Sequence, residues 1–134
     1  MSGFKISSLS GVVTVISGKE SADTLTGGDG ADEVFGYGSA DSLAGGGGED
    51  TIWGGWGNDT LLGGAGADTL MVNGADTAQG DAGNDQFMVS GGGNLLSDAS
   101  GNDVYTLAAG SAGTVITDSA GVDAVYTAVS FGIH

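Results

Sequence analysis

The chain carries a nine-residue repeat in which glycine, aspartate and an apolar residue recur at fixed places. Residues 45–71 divide into GGGGEDTIW, GGWGNDTLL and GGAGADTLM. Each unit has glycine at places 1, 2 and 4, aspartate at place 6, and isoleucine or leucine at place 8. A flexible linker needs the glycines but not the regular phase of the other residues. The period therefore decides what this chain can fold into.

The repeat runs through ten units over residues 18–106, and one unit, residues 72–79, is a residue short. Place 6 holds Asp23, Asp32, Asp41, Asp50, Asp59, Asp68, Asp76, Asp85, Asn94 and Asp103. Place 8 holds Leu25, Val34, Leu43, Ile52, Leu61, Leu70, Ala78, Phe87, Leu96 and Tyr105. We divide the chain into an N-terminal strand or cap segment (1–17), the repeat region (18–106) and a C-terminal β cap (107–134).

The pattern of one unit predicts its local structure. Place 8 is the only regularly apolar place, which predicts a three-residue strand with only its centre facing inward. The glycine half must turn the chain sharply, with several residues at positive φ. Two nine-residue units then close one coil, and successive coils stack about 4.8 Å apart. The sequence thus predicts an all-β parallel solenoid with a thin core and a column of aspartates along each edge.

The charge of the chain indicates what lies between those aspartates. There are 17 acidic residues against two lysines and no arginine, for a formal net charge of -15. Stacked carboxylates repel each other unless a hard cation separates them. Calcium binds six to eight oxygens from carboxylates and carbonyls, and glycine-rich turns leave carbonyls accessible, whereas magnesium prefers a tighter octahedron. We therefore predict Ca²⁺ as the bound cofactor.

The pattern GGxGxDxUx, in which U is a large apolar residue, is complete in residues 27–35, 45–53, 54–62 and 63–71. It resembles the repeat of the RTX (repeats-in-toxin) calcium-binding proteins, the hemolysin-type repeat. The resemblance covers residues 18–106, and the tail is similar to segments that follow such repeats in secreted RTX proteins. It implies a right-handed, calcium-loaded parallel β-roll with two nonapeptide repeats per coil. It also implies type I secretion and folding outside the cell.

The resemblance further implies which atoms hold the metal. In the family, carbonyls of places 1 and 3 of one turn and places 2 and 4 of the neighbouring turn join the two aspartates. On the complete units these carbonyls belong to Gly27, Gly28, Asp29, Gly30, Gly45, Gly46, Gly47, Gly48, Gly54, Gly55, Trp56, Gly57, Gly63, Gly64, Ala65 and Gly66.

The aspartate columns also give the number of ions. Neighbouring pairs are 23/41, 41/59 and 59/76 on one edge, and 32/50, 50/68, 68/85 and 85/103 on the other. That makes about seven ions. Seven dications add +14 to the net charge of -15 and leave about -1.

The two edges differ in how well they keep the motif. Counting units from residue 18, the even units, from GGDGAD to DASGND, all keep glycine at place 4 and aspartate at place 6. The odd units depart from the motif: GKESAD has no glycine at place 4, VNGAD is a residue short, and the last odd unit has Asn94 instead of aspartate at place 6. We expect the even edge to be fully occupied and the odd edge to lose metal at or beyond Asp76.

Several classes of function are not expected. The sequence has no HExxH, no GxSxG and no cysteine, and its single histidine is His134, so we do not expect an enzyme. An acidic chain repels nucleic acid and anionic membranes. A membrane-spanning helix needs an apolar run of about 18 residues or more, and no run here approaches that length, so no membrane insertion is expected. The expected localisation is extracellular or at the cell surface.

Place 9 of the even units suggests a role. It holds Phe35, Trp53, Met71, Met88 and Thr106, an outward-facing row that we call the apolar ladder. Such a patch favours calcium-triggered self-association in an extracellular matrix, surface layer or filament. Three alternatives remain open: the chain's own terminal segments cover the ladder, or the chain is the C-terminal secretion or folding module of an RTX hydrolase or toxin, or it binds polysaccharide.

Overall fold

The computed structural model describes residues 5–7 and 14–127, and of residues 5–7 only the backbone. Parts of the two predicted terminal segments, residues 1–17 and 107–134, lie outside this description. Every regular element in the described residues is a β-strand, and all strand pairs are parallel. None of these residues forms a helix long and apolar enough to cross a membrane.

The strands form two sheets of seven, and successive strands alternate between the sheets. The first sheet contains β1 (Lys5–Ser7), β3 (Thr24–Thr26), β5 (Ser42–Gly47), β7 (Thr60–Ala65), β9 (Thr77–Ala82), β11 (Leu95–Asp98) and β13 (Val115–Asp118). The second contains β2 (Val15–Ser17), β4 (Glu33–Gly38), β6 (Thr51–Trp56), β8 (Thr69–Asn73), β10 (Gln86–Ser90), β12 (Val104–Leu107) and β14 (Ala124–Thr127). This is the predicted β-solenoid with two repeats per coil.

The register shows the length of each coil. Thr24 pairs with Ser42, so one coil spans two nine-residue units. The short unit makes one coil a residue shorter, so that Thr60 pairs with Thr77. At the C-terminal end the coils become longer than two units, and Val104 pairs with residue 124. The flanking strands β2, β13 and β14 pair within the same two sheets as the repeats.

The strands are longer than the predicted three residues, and that prediction is wrong for most coils. Strands β4 to β7 each have six residues and extend from place 7 to place 3 of the next unit. Because side chains alternate along a strand, place 1 faces inward as well as place 8. Val72 and Val89, which occupy place 1, are therefore buried in the core.

The predicted place-8 core is confirmed. All ten of its side chains are at most 2 % exposed and belong to a single cluster between the sheets. Ile16 of β2 extends that cluster at the N-terminal end. The rings of Phe87 and Tyr105 stack with centroids 4.7 Å apart. The core is one side chain wide, so its burial alone gives each coil limited stability.

The apolar ladder also aligns as predicted along the outer face of the second sheet. Phe35 pairs with Trp53, Trp53 with Met71, and Met88 with both Met71 and Thr106. The rings of Phe35 and Trp53 are nearly parallel, with centroids 4.3 Å apart. Stacking leaves most of these side chains half-buried rather than fully outward.

Candidate metal centre

The aspartates of place 6 lie where each turn ends and the next strand begins. From Asp41 onward, the residue after each aspartate donates its N–H to the aspartate carbonyl one coil earlier, as Ser42 does to Asp23 at 2.8 Å. This fixes the backbone at both ends of the junction. All nine predicted aspartates and Asn94 are at most 3 % exposed, so the structure gathers them into two buried columns, one on each edge.

One carboxylate oxygen of each column member accepts a backbone hydrogen bond. The N–H of Asp32 donates to Asp50 Oδ1 at 2.7 Å, and the N–H of Asp50 donates to Asp68 Oδ1 at 2.8 Å. The same bond repeats at every step of both columns, up to Asp103, which donates to Asp123 Oδ1 at 2.9 Å. These hydrogen bonds fix the direction of each carboxylate in the two columns, so its second oxygen, Oδ2, has a defined position.

The second oxygens separate the aspartates into two groups. Asp23 Oδ2 accepts the N–H of Lys19 at 2.6 Å, and Asp76 Oδ2 accepts that of Asn73 at 2.8 Å. Among the described residues, Oδ2 is buried without a hydrogen-bond partner in Asp41, Asp50, Asp59, Asp68, Asp85 and Asp103. A buried, unpaired carboxylate oxygen is costly to fold around. These six atoms therefore mark where a cation is needed.

The pKa values of the column aspartates also indicate that a cation binds beside them. The pKa of Asp50 is raised to about 6 and that of Asp68 to about 7, mainly because both carboxyls are buried. The backbone hydrogen bond to each carboxyl opposes this rise, and the neighbouring carboxylates add to it. A carboxyl whose pKa is higher in the fold than in the unfolded chain destabilises the fold once it is ionised. At neutral pH the columns thus oppose folding unless positive charge offsets them. No lysine or arginine follows Lys19 in the sequence, so that charge must come from outside the chain.

The glycines of place 1 leave room for these oxygens. A Cβ added to Gly36 would collide with both Asp41 Oδ2 and the carbonyl oxygen of Gly54 in the next coil. A Cβ added to Gly63 would likewise meet Asp68 Oδ2 and the carbonyl oxygen of the next place-1 glycine. Carboxylate and carbonyl oxygens therefore converge beside these two glycines. A set of hard oxygens without nitrogen or sulfur fits Ca²⁺.

Comparison with protein families identifies this arrangement. Four copies of the RTX calcium-binding nonapeptide repeat match the chain, at residues 14–43, 35–70, 72–96 and 79–112. The chain belongs to this family. Its RTX repeats form a calcium-binding β-roll. No curated protein and no solved structure matches the chain.

Most of the RTX carbonyl ligands inferred from sequence, those of places 1 to 3, lie in the last residues of strands β5, β6 and β7, whereas those of residues 27–30 and of the other place-4 glycines lie in the turns. The carbonyl of Gly45, at place 1, lies beside the place-1 glycine of the preceding coil. Those of Gly28 and Ala65 accept the N–H groups of Gly47 and Gly48, so each keeps one lone pair for another partner. The individual assignments within the predicted set stay predictions.

The odd edge ends in neutral groups. Asn94 Oδ1 accepts the N–H of Asp76 at 2.9 Å, as an aspartate would. Its amide Nδ2 donates to the carbonyl of Gly91 at 2.9 Å and to Thr114 Oγ1 at 3.3 Å. At Asn94 the chain's own donors and acceptors thus satisfy the column. The loss of metal at or beyond Asp76 stays a prediction.

The sequence interpretation missed three acidic residues at the C-terminal end of the even edge. Asp123 continues the place-6 column, while Asp98 and Asp118 occupy place 1 of the last two even turns. The signal was present, because GVDAVY (121–126) matches GNDVYT (101–106) in phase, with glycine at place 4 and aspartate at place 6. Counting by nines loses that phase, since the last coil is longer than two units.

The turn geometry predicts different effects for two neighbouring glycines. Gly48 has φ +111°, and an added Cβ would collide with the carbonyl of Gly30, whereas a Cβ on Gly47 meets nothing closer than 3.6 Å. In saturating calcium, we expect Gly48→Ala to destabilise the roll by about 1–3 kcal/mol or more. Gly47→Ala should be neutral or slightly stabilising. Thermal unfolding followed by circular dichroism measures the stability of both variants. Equal losses of stability in the two variants would contradict the close contact between Gly48 and the Gly30 carbonyl.

The unpaired oxygens predict a ranking of the aspartates. Asp50→Ala and Asp68→Ala each remove an unpaired buried oxygen. Asp23→Ala instead removes a carboxylate whose Oδ2 accepts the N–H of Lys19 and whose Oδ1 accepts the hydroxyl of Ser21. We expect the first two variants to bind fewer calcium ions than Asp23→Ala. Equilibrium dialysis counts the bound ions. Equal losses from all three variants would show that the unpaired oxygens do not mark the sites.

Proposed function

We propose that this chain is a secreted RTX β-roll that is unfolded without calcium and folds as calcium binds. The observation that carries the proposal is the set of six buried Oδ2 atoms without partners in the described residues. An ordered chain cannot retain such atoms cheaply when they are ionised. A site that exists only in the fold converts binding free energy into folding free energy.

The difference in calcium concentration between the cytosol and the outside of the cell gives calcium-dependent folding a use. The affinity expected for an extracellular calcium module is about 10⁻⁴–10⁻³ M. At the low calcium level of a cytosol such sites stay empty, and the chain stays unfolded and suited to export by a type I system. Outside the cell, millimolar calcium fills the sites and folds the roll. Secretion thus fits the chemistry of the columns.

The proposal assigns the buried carboxylates to metal binding rather than to catalysis. Most of them are locked by backbone N–H groups through Oδ1, which leaves one oxygen to bind an ion. We therefore propose a structural protein and no enzymatic activity.

Removal of calcium tests the proposal directly. With excess chelator, we expect the far-ultraviolet circular dichroism of the purified chain to show an unfolded chain, because the net charge of -15 is then uncompensated. Calcium titration should restore the β signal at about 10⁻⁴–10⁻³ M free ion. Magnesium serves as the control and should restore less. A β signal unchanged by chelator would contradict calcium-dependent folding.

Self-association is the role that we propose for the folded roll. Beside the apolar ladder lies a groove of about 290 Å³, lined by Trp53, Met71, Val72 and Met88 among others. At the C-terminal end, Val125 occupies place 8 but is 54 % exposed, so the described end of the stack also presents apolar surface. Calcium loading to a net charge of about -1 would remove the repulsion between copies.

Sedimentation velocity in millimolar calcium tests self-association. We expect the wild type to form concentration-dependent oligomers, and Trp53→Ser with Met71→Ser to reduce them, because both side chains line the groove. Thr60→Ser, at a solvent-facing place 7, is the control. A strictly monomeric wild type would remove the assembly role. It would then favour either terminal segments folded over the ladder, or a module of an RTX hydrolase, toxin or polysaccharide-binding protein.

A further inference from the structure

Asp98 stands at a place where the preceding coils have no charge. It occupies place 1 of its unit, which faces the core and holds glycine or valine in the repeats before it. It is only 6 % exposed. Its Oδ2 accepts the N–H of Ser100 at 2.8 Å, but its Oδ1 has no hydrogen-bond partner among the described residues. A buried carboxylate oxygen of this kind needs a positive partner.

Asp98 lies close to two aspartates of the even column. One oxygen each of Asp85, Asp98 and Asp103 lies within 4.8 Å of the other two. All three residues are buried, and Asp85 Oδ2 and Asp103 Oδ2 are likewise without partners in the described chain. Three carboxylates at this distance repel each other strongly. The last lysine in the sequence, Lys19, belongs to the opposite end of the solenoid.

In this cluster the Asp98 carboxylate occupies the position that a backbone carbonyl oxygen occupies in earlier coils. Beside Gly36 and Gly63, the next coil contributes the carbonyl oxygen of its own place-1 glycine. Beside Gly80, the next coil contributes Asp98 Oδ1, and an added Cβ would collide with it and with Asp85 Oδ2. Beside Gly36 and Gly63 one carboxylate and one carbonyl oxygen meet, whereas beside Gly80 the carboxylates of Asp85 and Asp98 meet. Asp103 is the third carboxylate of the cluster.

We propose that Asp85, Asp98 and Asp103 form a three-carboxylate calcium site that binds more tightly than the two-carboxylate sites of the other coils. This inference rests on the proposed calcium dependence and goes beyond it by assigning a ligand outside place 6. The additional charge raises affinity by about tenfold or more, because charges at this distance interact strongly in a buried site. The site is filled first as calcium rises.

Asp118 differs from Asp98 and is not included. It also has one oxygen near Asp103 and Asp123, but it is half-buried, and Asp123 is exposed. Its Oδ2 accepts the hydroxyl of Tyr105 at 2.8 Å, and its Oδ1 accepts the N–H of Ala120 at 3.3 Å. Both oxygens therefore have partners.

The test compares Asp98→Asn with a variant of equal charge change. Asparagine can still accept the N–H of Ser100, so the turn keeps its bond while the ligand loses its charge. Glu49→Gln removes one charge from an exposed position on the same edge. Equilibrium dialysis counts bound calcium from micromolar to millimolar free ion. We expect the first ion to require about tenfold more calcium in Asp98→Asn and an unchanged concentration in Glu49→Gln.

The outcomes separate the two proposals. If Asp98→Asn and Glu49→Gln give the same isotherm, the three-carboxylate site is wrong. If the wild type binds no calcium, the proposed function itself is wrong. Asp98→Gly restores the glycine of the other turns and repeats the comparison with a residue that the repeat accepts. Should it also keep the first binding step of the wild type, Asp98 is not a ligand.

Discussion

The burial of stacked carboxylates is the constraint on which this roll depends. The backbone N–H of each aspartate donates to Oδ1 of the aspartate in the next coil, so the two columns connect successive coils where each turn meets its strand. The same bonds fix the position of Oδ2, and among the described residues six of these atoms are buried without a donor. The interaction that orders the turns therefore also creates the charge that only a cation can offset.

The thin core is a second reason to expect that the fold depends on a cation. One place-8 side chain per unit, such as Leu43 or Ile52, buries little apolar area for nine residues, and folding removes the conformational entropy of many glycines. With 29 glycines in the chain, that loss of entropy is large compared with the burial of so thin a core. We therefore expect such a fold to gain stability from the bound ion, as the proposed calcium-dependent folding requires.

The nine-residue period predicted what depends on spacing alone: the place-8 core, the two aspartate columns and the alignment of the apolar ladder. It did not predict Val72 and Val89 as core residues, because the strands continue through place 1. It lost Asp123, because the last coil is longer than two units. The weaker motif of the odd edge already set Asp23 apart from Asp50. The period did not show the physical cause, which is that a backbone N–H lies within reach of Oδ2 in Asp23 and not in Asp50.

The two edges show two solutions to one burial problem. On the even edge, up to Gly80, place 1 stays glycine because the carboxylate oxygen occupies the space that a side chain would need. There we propose that the bound cation supplies the stability. On the odd edge the charge disappears at Asn94, whose amide is satisfied by the Gly91 carbonyl and a threonine hydroxyl. There place 1 becomes Val72 and then Val89, both buried. These apolar side chains fill the space at place 1, so hydrophobic burial stabilises the last coils of this edge.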